Sequence, residues 1–277
     1  MWRPLPLRRS SLRSCSLVWT SADRQKGNPL LTQGQIAEHV DKIDRIGYTI
    51  LEGLIAPDVV AEMAAAFEPI YQANLDTIRN DPNRGPMRHY IVLPFEPPLY
   101  QSAFHGHPAV FAIVRAILGD DVYCNQFASD TPAKGSVHQK WHADTAVNFT
   151  EDGKLQTPDL IAANTSFVDV TPENGPFEVC DGSHHDPDAI EKLTNQELEF
   201  RPLYLKVGDV LVRDPRCIHR GSPNTTDTLR GVAVLGFDRE GTERGGHLVE
   251  NGIRPDFYES LSRDEQRMYR KVPRIET

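Results

Sequence analysis

The stretch Val137-His-Gln-Lys-Trp-His-Ala-Asp144 decides the fold and the chemistry predicted for this sequence. We interpret it as a β-strand. Side chains two positions apart on a strand lie on the same face, so His142 and Asp144 are expected to point the same way. An imidazole and a carboxylate on one face are two of the three ligands of a 2-His-1-carboxylate site, which suits Fe(II) and leaves coordination positions open.

A second pair with the same spacing, His184 and Asp186, is predicted to lie in a turn and not on a strand. It follows Gly182-Ser183 and precedes Pro187, a composition typical of turns. We therefore expect polar loop residues here and no metal ligands.

The sequence downstream of the first pair offers a third ligand. The strand-like run Gly208–Arg213 leads to His219, and Arg230 follows eleven residues later. A histidine on a returning strand can complete a metal site, and a nearby guanidinium can clamp a carboxylate through two hydrogen bonds. A buried arginine without a partner is costly, so Arg230, if buried, implies an anionic ligand or a nearby acid.

Short apolar or alternating runs, separated by Gly, Pro and Asn turns, fill the second half of the chain. The predicted strands are Val122–Phe127, Val137–Asp144, Leu160–Val168, Phe177–Cys180, Val207–Arg213 and Gly231–Phe237. Many short strands of this kind favour a sandwich or a barrel, with the early helices packed outside.

Helical periodicity is found mainly toward the two ends of the chain. Apolar residues recur at helical spacing from about Thr32 until Gly47, after which residues 48–51 resemble a short strand. Pro57 is placed to begin a second helix, and a third is predicted over Pro108–Leu118. The charged segment Pro255–Lys271 returns to a helical pattern.

Composition excludes several classes of protein. Of the 277 residues, 39% are hydrophobic and 25% are charged, as in ordinary globular proteins. The sequence contains no apolar run of 18 residues, so no membrane-spanning helix is predicted. Residues 1–29 carry six basic side chains and one acid. The remaining 24 bases and 38 acids give residues 30–277 a net charge of −14. A strongly acidic domain disfavours nucleic-acid binding.

The charge split also divides the chain. We interpret residues 1–29 as a disordered leader or a transit segment, and residues 30–277 as a single domain. The four cysteines contain no CxxC pair, which fits a reducing compartment. The predicted location is cytoplasmic, or mitochondrial if residues 1–29 act as a transit peptide.

In order and spacing, these motifs resemble the phytanoyl-CoA dioxygenase family of Fe(II)/2-oxoglutarate oxygenases over residues 35–245. The matching segments are Gln139–Asp144, Thr171–Gly175 with Gly182–His184, the run from Gly208 to Arg230, and the lead-in from Gly47 to the Pro57 helix. The resemblance implies a mainly β fold with flanking α-helices. Its core would be a double-stranded β-helix, a jelly roll related to the cupins, with the N-terminal helices outside.

The resemblance also assigns the site. His142, Asp144 and His219 would bind Fe(II), and Arg230 would pair with the distal carboxylate of 2-oxoglutarate. Further contacts to this cosubstrate are expected from Gln139, Asn125 and Asn164. O₂ would take the remaining position, with release of succinate and CO₂. In related halogenases a small residue replaces the carboxylate, so the presence of Asp144 favours hydroxylation or a similar oxidation.

Candidate substrate contacts lie in two places. The aromatic-rich run Arg88–Phe95 falls where this family borders its substrate mouth, which makes Arg88 and Tyr90 candidates. Three arginines surround the third ligand, namely Arg213, Arg216 and Arg220. They either meet an anionic substrate, for which Arg216 is the candidate, or pair with local acids such as Asp214. The turn-forming residues Glu173–Gly175 and Asn224 are given structural roles.

The leading hypothesis is an Fe(II)/2-oxoglutarate oxygenase that oxidises a small organic molecule, either a CoA thioester or an intermediate of secondary metabolism. Neither a nucleic acid nor a membrane is an expected partner. Two alternatives belong to other classes: a non-catalytic jelly-roll protein that binds metal or ligand, and a zinc hydrolase with three similar ligands. Neither alternative requires Arg230 in addition to the three ligands.

Overall fold

The computed structural model describes residues 31–242 and 252–275, without the Asn125 side chain. The predicted leader, residues 1–29, lies outside these ranges. Within them, no helix is both long enough and apolar enough to cross a membrane.

The described chain forms helices at both ends and strands mainly between them. In chain order the elements are α1 (Gln33–Ile46), β1 (Tyr48–Leu51), α2 (Pro57–Ala73), α3 (Leu75–Asn80), β2 (Arg88–Val92), α4 (Ser102–His105), α5 (Pro108–Leu118), β3 (Tyr123–Pro132), β4 (Leu160–Ser166), β5 (Phe177–Val179), α6 (Ala189–Thr194), β6 (Arg201–Leu203), β7 (Val210–Arg213), β8 (His219–Gly221), β9 (Val232–Asp238), α7 (Pro255–Ser260) and α8 (Arg263–Met268).

The strands form two antiparallel sheets of a jelly-roll core. The major sheet has six strands in the order β1-β7-β4-β9-β3-β2, and the minor sheet has three in the order β6-β5-β8. Neighbours in the major sheet are often distant in the chain, as are β7 and β4, so the fold brings remote segments into register. The predicted fold class is confirmed.

The helices lie outside the sheets and share a large apolar core with the major sheet. Phe111 of α5 packs edge-on against Phe237 of β9, with ring centroids 6.2 Å apart, and Phe67 of α2 lies 5.2 Å from Phe167. Burial of such rings contributes about 2–3 kcal/mol each, so this layer stabilises the sheet that carries the site.

The first helix begins and ends where the sequence predicts. Thr32 and Gln35 form a reciprocal capping box at the start of α1, and Gly47 ends it with φ of 90°. Helix α5 spans Pro108–Leu118 as predicted. The predicted helix over Pro255–Lys271 is wrong in one respect: it divides into α7 and α8, because Ser262 begins a new capping box.

The prediction of a strand over Val137–Asp144 is wrong. The segment pairs with β8 only through Gln139 N to Gly221 O (3.0 Å) and through mutual bonds between His142 and His219 (3.1 and 2.9 Å). From Gln139 to His142 there are three steps along the chain, but from Gly221 to His219 on β8 there are only two. The segment therefore has one extra residue, which interrupts the ladder of hydrogen bonds as in a β-bulge.

Candidate metal centre

Three side chains converge where this segment meets β8. One ligand atom from each of His142, Asp144 and His219 lies within 4.8 Å of the others, the only such cluster found in the described part of the chain. Asp144 Oδ1 is 3.6 Å from His142 Nε2 and 3.5 Å from His219 Nε2. The sequence prediction of these three residues as one group therefore agrees with the geometry.

Both imidazoles are oriented by backbone carbonyls. His142 Nδ1 lies 2.8 Å from the oxygen of Lys140, and His219 Nδ1 lies 2.9 Å from that of Cys217. A carbonyl only accepts, so each Nδ1 must carry the proton, and each Nε2 keeps its lone pair for a metal. The sequence analysis missed this feature, in which each acceptor lies two residues before its histidine.

Asp144 is held by Arg213, a strand residue that the sequence analysis considered as a contact to an anionic substrate or to a local acid, but not as a partner of Asp144. Arg213 Nη2 donates to Asp144 Oδ2 over 2.8 Å, which leaves Oδ1 toward the histidines. Burial opposes ionisation of Asp144, but Arg213 and His219 outweigh it and hold the pKa of the carboxyl well below its usual value. Asp144 is therefore a carboxylate at neutral pH, as a metal ligand must be.

The histidines suit a divalent cation as well. Burial, and then the neighbouring His219, lower the pKa of His142, so its imidazole is neutral near pH 7. Two imidazole nitrogens and one carboxylate on a single side are the donor set that non-haem Fe(II) prefers. These residues therefore fit the metal that the sequence implies.

A cavity of about 450 Å³ opens over the three ligands. Predicted cosubstrate residues Gln139, Asn164 and Arg230 line it, as does Tyr90. Arg230 is 4% exposed, and burial lowers its pKa to about 10, against the attraction of Asp130. It therefore remains charged at neutral pH.

Unpartnered polar atoms mark the part of the cavity near Arg230. Among the described residues, neither Arg230 Nε nor Asn164 Oδ1 has a hydrogen-bond partner, although both atoms are buried. Gln139 differs, since its Oε1 accepts from Gly221 N over 2.9 Å and also braces β8. The Asn125 side chain, predicted to contact the cosubstrate, lies outside the described set.

Two predicted substrate contacts are not on the cavity wall. Arg216 makes a buried, bidentate pair with Asp214 (2.6–3.1 Å) and donates to Gln156 O over 2.5 Å. Arg88 is fully buried and donates to Ser222 O over 2.6 Å. Neither residue lines the cavity, and each guanidinium donates to protein acceptors, although Arg88 Nε has none in the described ranges. We therefore correct these two assignments to structural roles.

The second histidine motif is structural, as predicted. His184 and His185 both place Nε2 near the carbonyl of Asp44, at 2.9 and 2.5 Å, and so connect this turn to α1. Asn224 donates to Pro132 O and Thr228 O, which confirms its assignment as a turn former.

Known proteins resemble this chain over the same region. The profile of the phytanoyl-CoA dioxygenase family matches residues 43–232. An L-proline trans-4-hydroxylase of Streptomyces griseoviridis is 29% identical over 187 residues, 57% of this chain and 67% of that protein. An ectoine dioxygenase of Sphingopyxis alaskensis is 26% identical over 53% of this chain and 49% of its own. The matched region thus spans about half to two thirds of these relatives.

Solved structures share the fold. AviO1 from Streptomyces viridochromogenes superposes with a TM-score of 0.58 at 20% identity, covering 78% of this chain and 100% of that one. HygX from Streptomyces hygroscopicus, solved with nickel and 2-oxoglutarate bound, gives 0.56 at 18% identity, covering 77% and 89%.

Proposed function

Because the chain belongs to the phytanoyl-CoA dioxygenase family, we propose that it catalyses the Fe(II)- and 2-oxoglutarate-dependent oxidation of a small organic molecule, with hydroxylation as the favoured outcome. The observation that carries this proposal is the convergence of His142, Asp144 and His219, with both Nε2 lone pairs available, beside the buried cation Arg230. Succinate and CO₂ would be the coproducts.

The three ligands would hold Fe(II), which with 2-oxoglutarate and O₂ supplies an oxidant strong enough for an unactivated C–H bond. The protein's own part is positioning. The carbonyls of Lys140 and Cys217 fix the imidazoles, and Arg213 fixes the carboxylate of Asp144. Such outer contacts typically change metal affinity or activity 10- to 100-fold when removed.

Arg230 would bind the distal carboxylate of 2-oxoglutarate. A buried guanidinium without an ion-pair partner at hydrogen-bond distance, in the region that the structure describes, favours an anionic ligand. The neighbouring Asn164 amide offers a further polar contact. A zinc hydrolase would not need this cation, and a non-catalytic protein would not need the cation and the ligand set together.

The substrate is proposed to be a small molecule of secondary metabolism. The names of the relatives support this size class, since they are an L-proline hydroxylase and ectoine dioxygenases. HygX has also been solved with hygromycin B bound, and SnoN comes from nogalamycin biosynthesis.

Spectroscopy on the anaerobic protein tests the proposal. Addition of Fe(II) and 2-oxoglutarate to the apo-protein should produce a metal-to-ligand charge-transfer absorption, and admission of O₂ should then release succinate. Well-folded protein that gives neither signal would refute the oxygenase function. Loading with Zn(II) is the control, because it should give no such absorption.

We also propose a cytoplasmic location. Cys180 and Cys217 are buried thiols outside any disulfide, which fits a reducing compartment. Fractionation of the source cells tests this, and recovery from mitochondria would instead favour the transit-peptide interpretation of residues 1–29.

A further inference from the structure

Arg213 has more donor capacity than the metal centre uses. Its Nη2 binds Asp144, but Nε and Nη1 are buried and have no acceptor in the described ranges. The side chain is 11% exposed and lines the cavity, and its Cζ lies 5.3 Å from the centre of the Phe177 ring. Buried guanidinium N–H groups are normally satisfied, so these groups point to a ligand.

The strand register separates Arg213 from Arg230. Arg213 is level with Ala162 on β4, whereas Val232, two residues after Arg230, is level with Ser166. Four residues of strand correspond to about 13 Å. The backbones of Arg213 and Arg230 therefore lie at opposite ends of the cavity floor. If Arg230 binds the distal carboxylate of 2-oxoglutarate, Arg213 remains available to a second molecule.

The floor beside Arg213 is open. Across the sheet from Arg213 the level residues are Ala162 on β4, Gly236 on β9 and Gln126 on β3. Ala162 is small and lines the cavity, whereas the Gln126 side chain lies over Gly236 and covers it. The space beside Arg213 is therefore the space over Ala162, between the side chains of Arg213 and Gln126.

Charge balance favours a monoanion in that space. Among the side chains that line the cavity, Arg84, Arg213 and Arg230 oppose Asp130 and Asp144, a surplus of one positive charge. Fe(II) and the 2-oxoglutarate dianion add no net charge. A phosphate monoester, with a charge near −2 at pH 7, would overcompensate this surplus. Apolar neighbours of Arg213 such as Phe177 and Leu211 also disfavour a strongly hydrated dianion.

We propose that the substrate carries a single carboxylate and that Arg213 binds it, which makes Arg213 the residue that selects the substrate class. This inference rests on the proposed function. It identifies the substrate as a small carboxylic acid or amino acid, oxidised at a carbon close to its carboxylate, because Arg213 also touches the metal ligand Asp144.

The test uses the full-length protein loaded anaerobically with Fe(II) and 2-oxoglutarate. Matched acids and amides are titrated in, namely L-proline and L-prolinamide, L-isoleucine and L-isoleucinamide, and cyclohexanecarboxylate and its amide, together with cyclohexyl phosphate. Binding is followed by the shift of the charge-transfer absorption, and coupling by succinate release after O₂ is admitted. At least one carboxylate should bind, and its amide should bind at least 100-fold more weakly.

Variants assign the effect to Arg213. Measured at saturating Fe(II) and 2-oxoglutarate, Arg213→Gln should weaken binding of that carboxylate about 30- to 100-fold, and Arg213→Lys should recover part of the loss. Arg45→Gln, a change in an exposed pair on α1, is the matched control. If Arg213→Gln does not bind Fe(II), the same titration is made with Arg213→Lys. This variant is expected to bind the carboxylate at least tenfold more weakly than the unmodified protein.

The inference would be overturned if the amides or the phosphate bound as tightly as the acids. It would also be overturned if the charge-transfer absorption formed but no carboxylate shifted it. A third contrary result would be an Arg213 variant that retains metal and binds the carboxylate as tightly as the unmodified protein. Absence of the absorption itself in the unmodified protein would instead refute the proposed function.

Discussion

At the scale of single residues, the metal centre is built by contacts that fix orientation. The histidines are held by carbonyls of their own segments, whereas Asp144 is held by Arg213 from β7. The first two contacts are local and the third is not. The carboxylate should therefore be the ligand that responds most to changes elsewhere in the fold.

Replacement of Asp144 tests the ligand assignment. Asp144→Ala should weaken Fe(II) binding and abolish succinate release, since the site loses its carboxylate ligand, while far-ultraviolet circular dichroism is unchanged. Asp227→Asn, which alters an 89% exposed carboxylate, should behave like the unmodified protein. Full activity of Asp144→Ala would show that the ligand assignment is wrong.

Replacement of Arg230 tests the cosubstrate site. Arg230→Gln should raise the Kd for 2-oxoglutarate by about 30- to 1,000-fold, because a desolvated charged pair contributes about 2–4 kcal/mol. Anaerobic titration of the charge-transfer absorption measures it. The control is Arg201→Gln, in a 62% exposed pair, and an unchanged Kd in Arg230→Gln would mean that another residue holds the carboxylate.

At the scale of elements, the loop between β7 and β8 is tied to the end of α1. Asp214 N donates to Gly47 O, and the Cys217 side chain packs against Gly47. Because Cys217 O orients His219, the helix terminus supports a metal ligand through two contacts.

Gly47→Ala should destabilise the protein by about 2–5 kcal/mol. A side chain at φ of 90° costs about 1–2 kcal/mol, and the new Cβ would lie only 2.6 Å from Cys217 Cβ, an overlap that adds about 1–3 kcal/mol. Gly53→Ala is the matched control, since its φ is 57° but nothing lies within 4 Å of the added Cβ. The free energy of unfolding of both variants is measured by urea denaturation. An equal loss in Gly47→Ala and Gly53→Ala would contradict the packing argument.

The same loop carries the corrected Arg216 assignment. Arg216→Ala should cost about 3–5 kcal/mol, because it leaves Asp214, with its side chain 3% exposed, as an unpaired buried charge. Arg45→Ala, in a pair with Asp41 whose side chains are 65% and 67% exposed, should cost less than about 1 kcal/mol. Urea unfolding measures the loss of stability in both variants. An Arg216→Ala protein with unchanged stability and a raised substrate KM would restore the assignment of Arg216 as a substrate contact.

At the scale of the whole molecule, buried histidines couple stability to pH. His107 begins α5, where its Nδ1 accepts from Ala109 N over 3.1 Å, and burial lowers its pKa to about 4. The unfolded chain takes up this proton near pH 6.5 and the folded chain does not. Folding is therefore favoured above that pH, and stability is lost as the pH falls toward 4.

His107→Asn should flatten this acid dependence. Asparagine also caps helices but does not titrate. Between pH 6 and 4 the slope of unfolding free energy against pH should decrease by up to about 1.4 kcal/mol per pH unit. Urea unfolding at several pH values measures it, and parallel curves for the two proteins would contradict the prediction. His138→Gln, which replaces a side chain that is 47% exposed, serves as the comparison.

The sequence by itself determined the features that depend on neighbours in the chain. The bounds of α5, the end of α1 at Gly47 and the turns at Asn174 and Asn224 follow from local conformational preferences. The spacing of His142 and Asp144 placed both ligands together even though their segment is not a strand, because two residues cannot separate the side chains far. The positions of His219 and Arg230 were noted from their spacing, and resemblance to a family then suggested their roles.

Only the tertiary structure decided which partner each charged side chain meets. Arg88, Arg213 and Arg216 are alike in sequence, yet one supports a wall, one holds a metal ligand and one neutralises Asp214. The difference arises from strand register and loop path, which place acceptors from distant segments beside each guanidinium. A partner some 70 residues away, as Asp144 is from Arg213, is fixed by the sheet and not by local spacing.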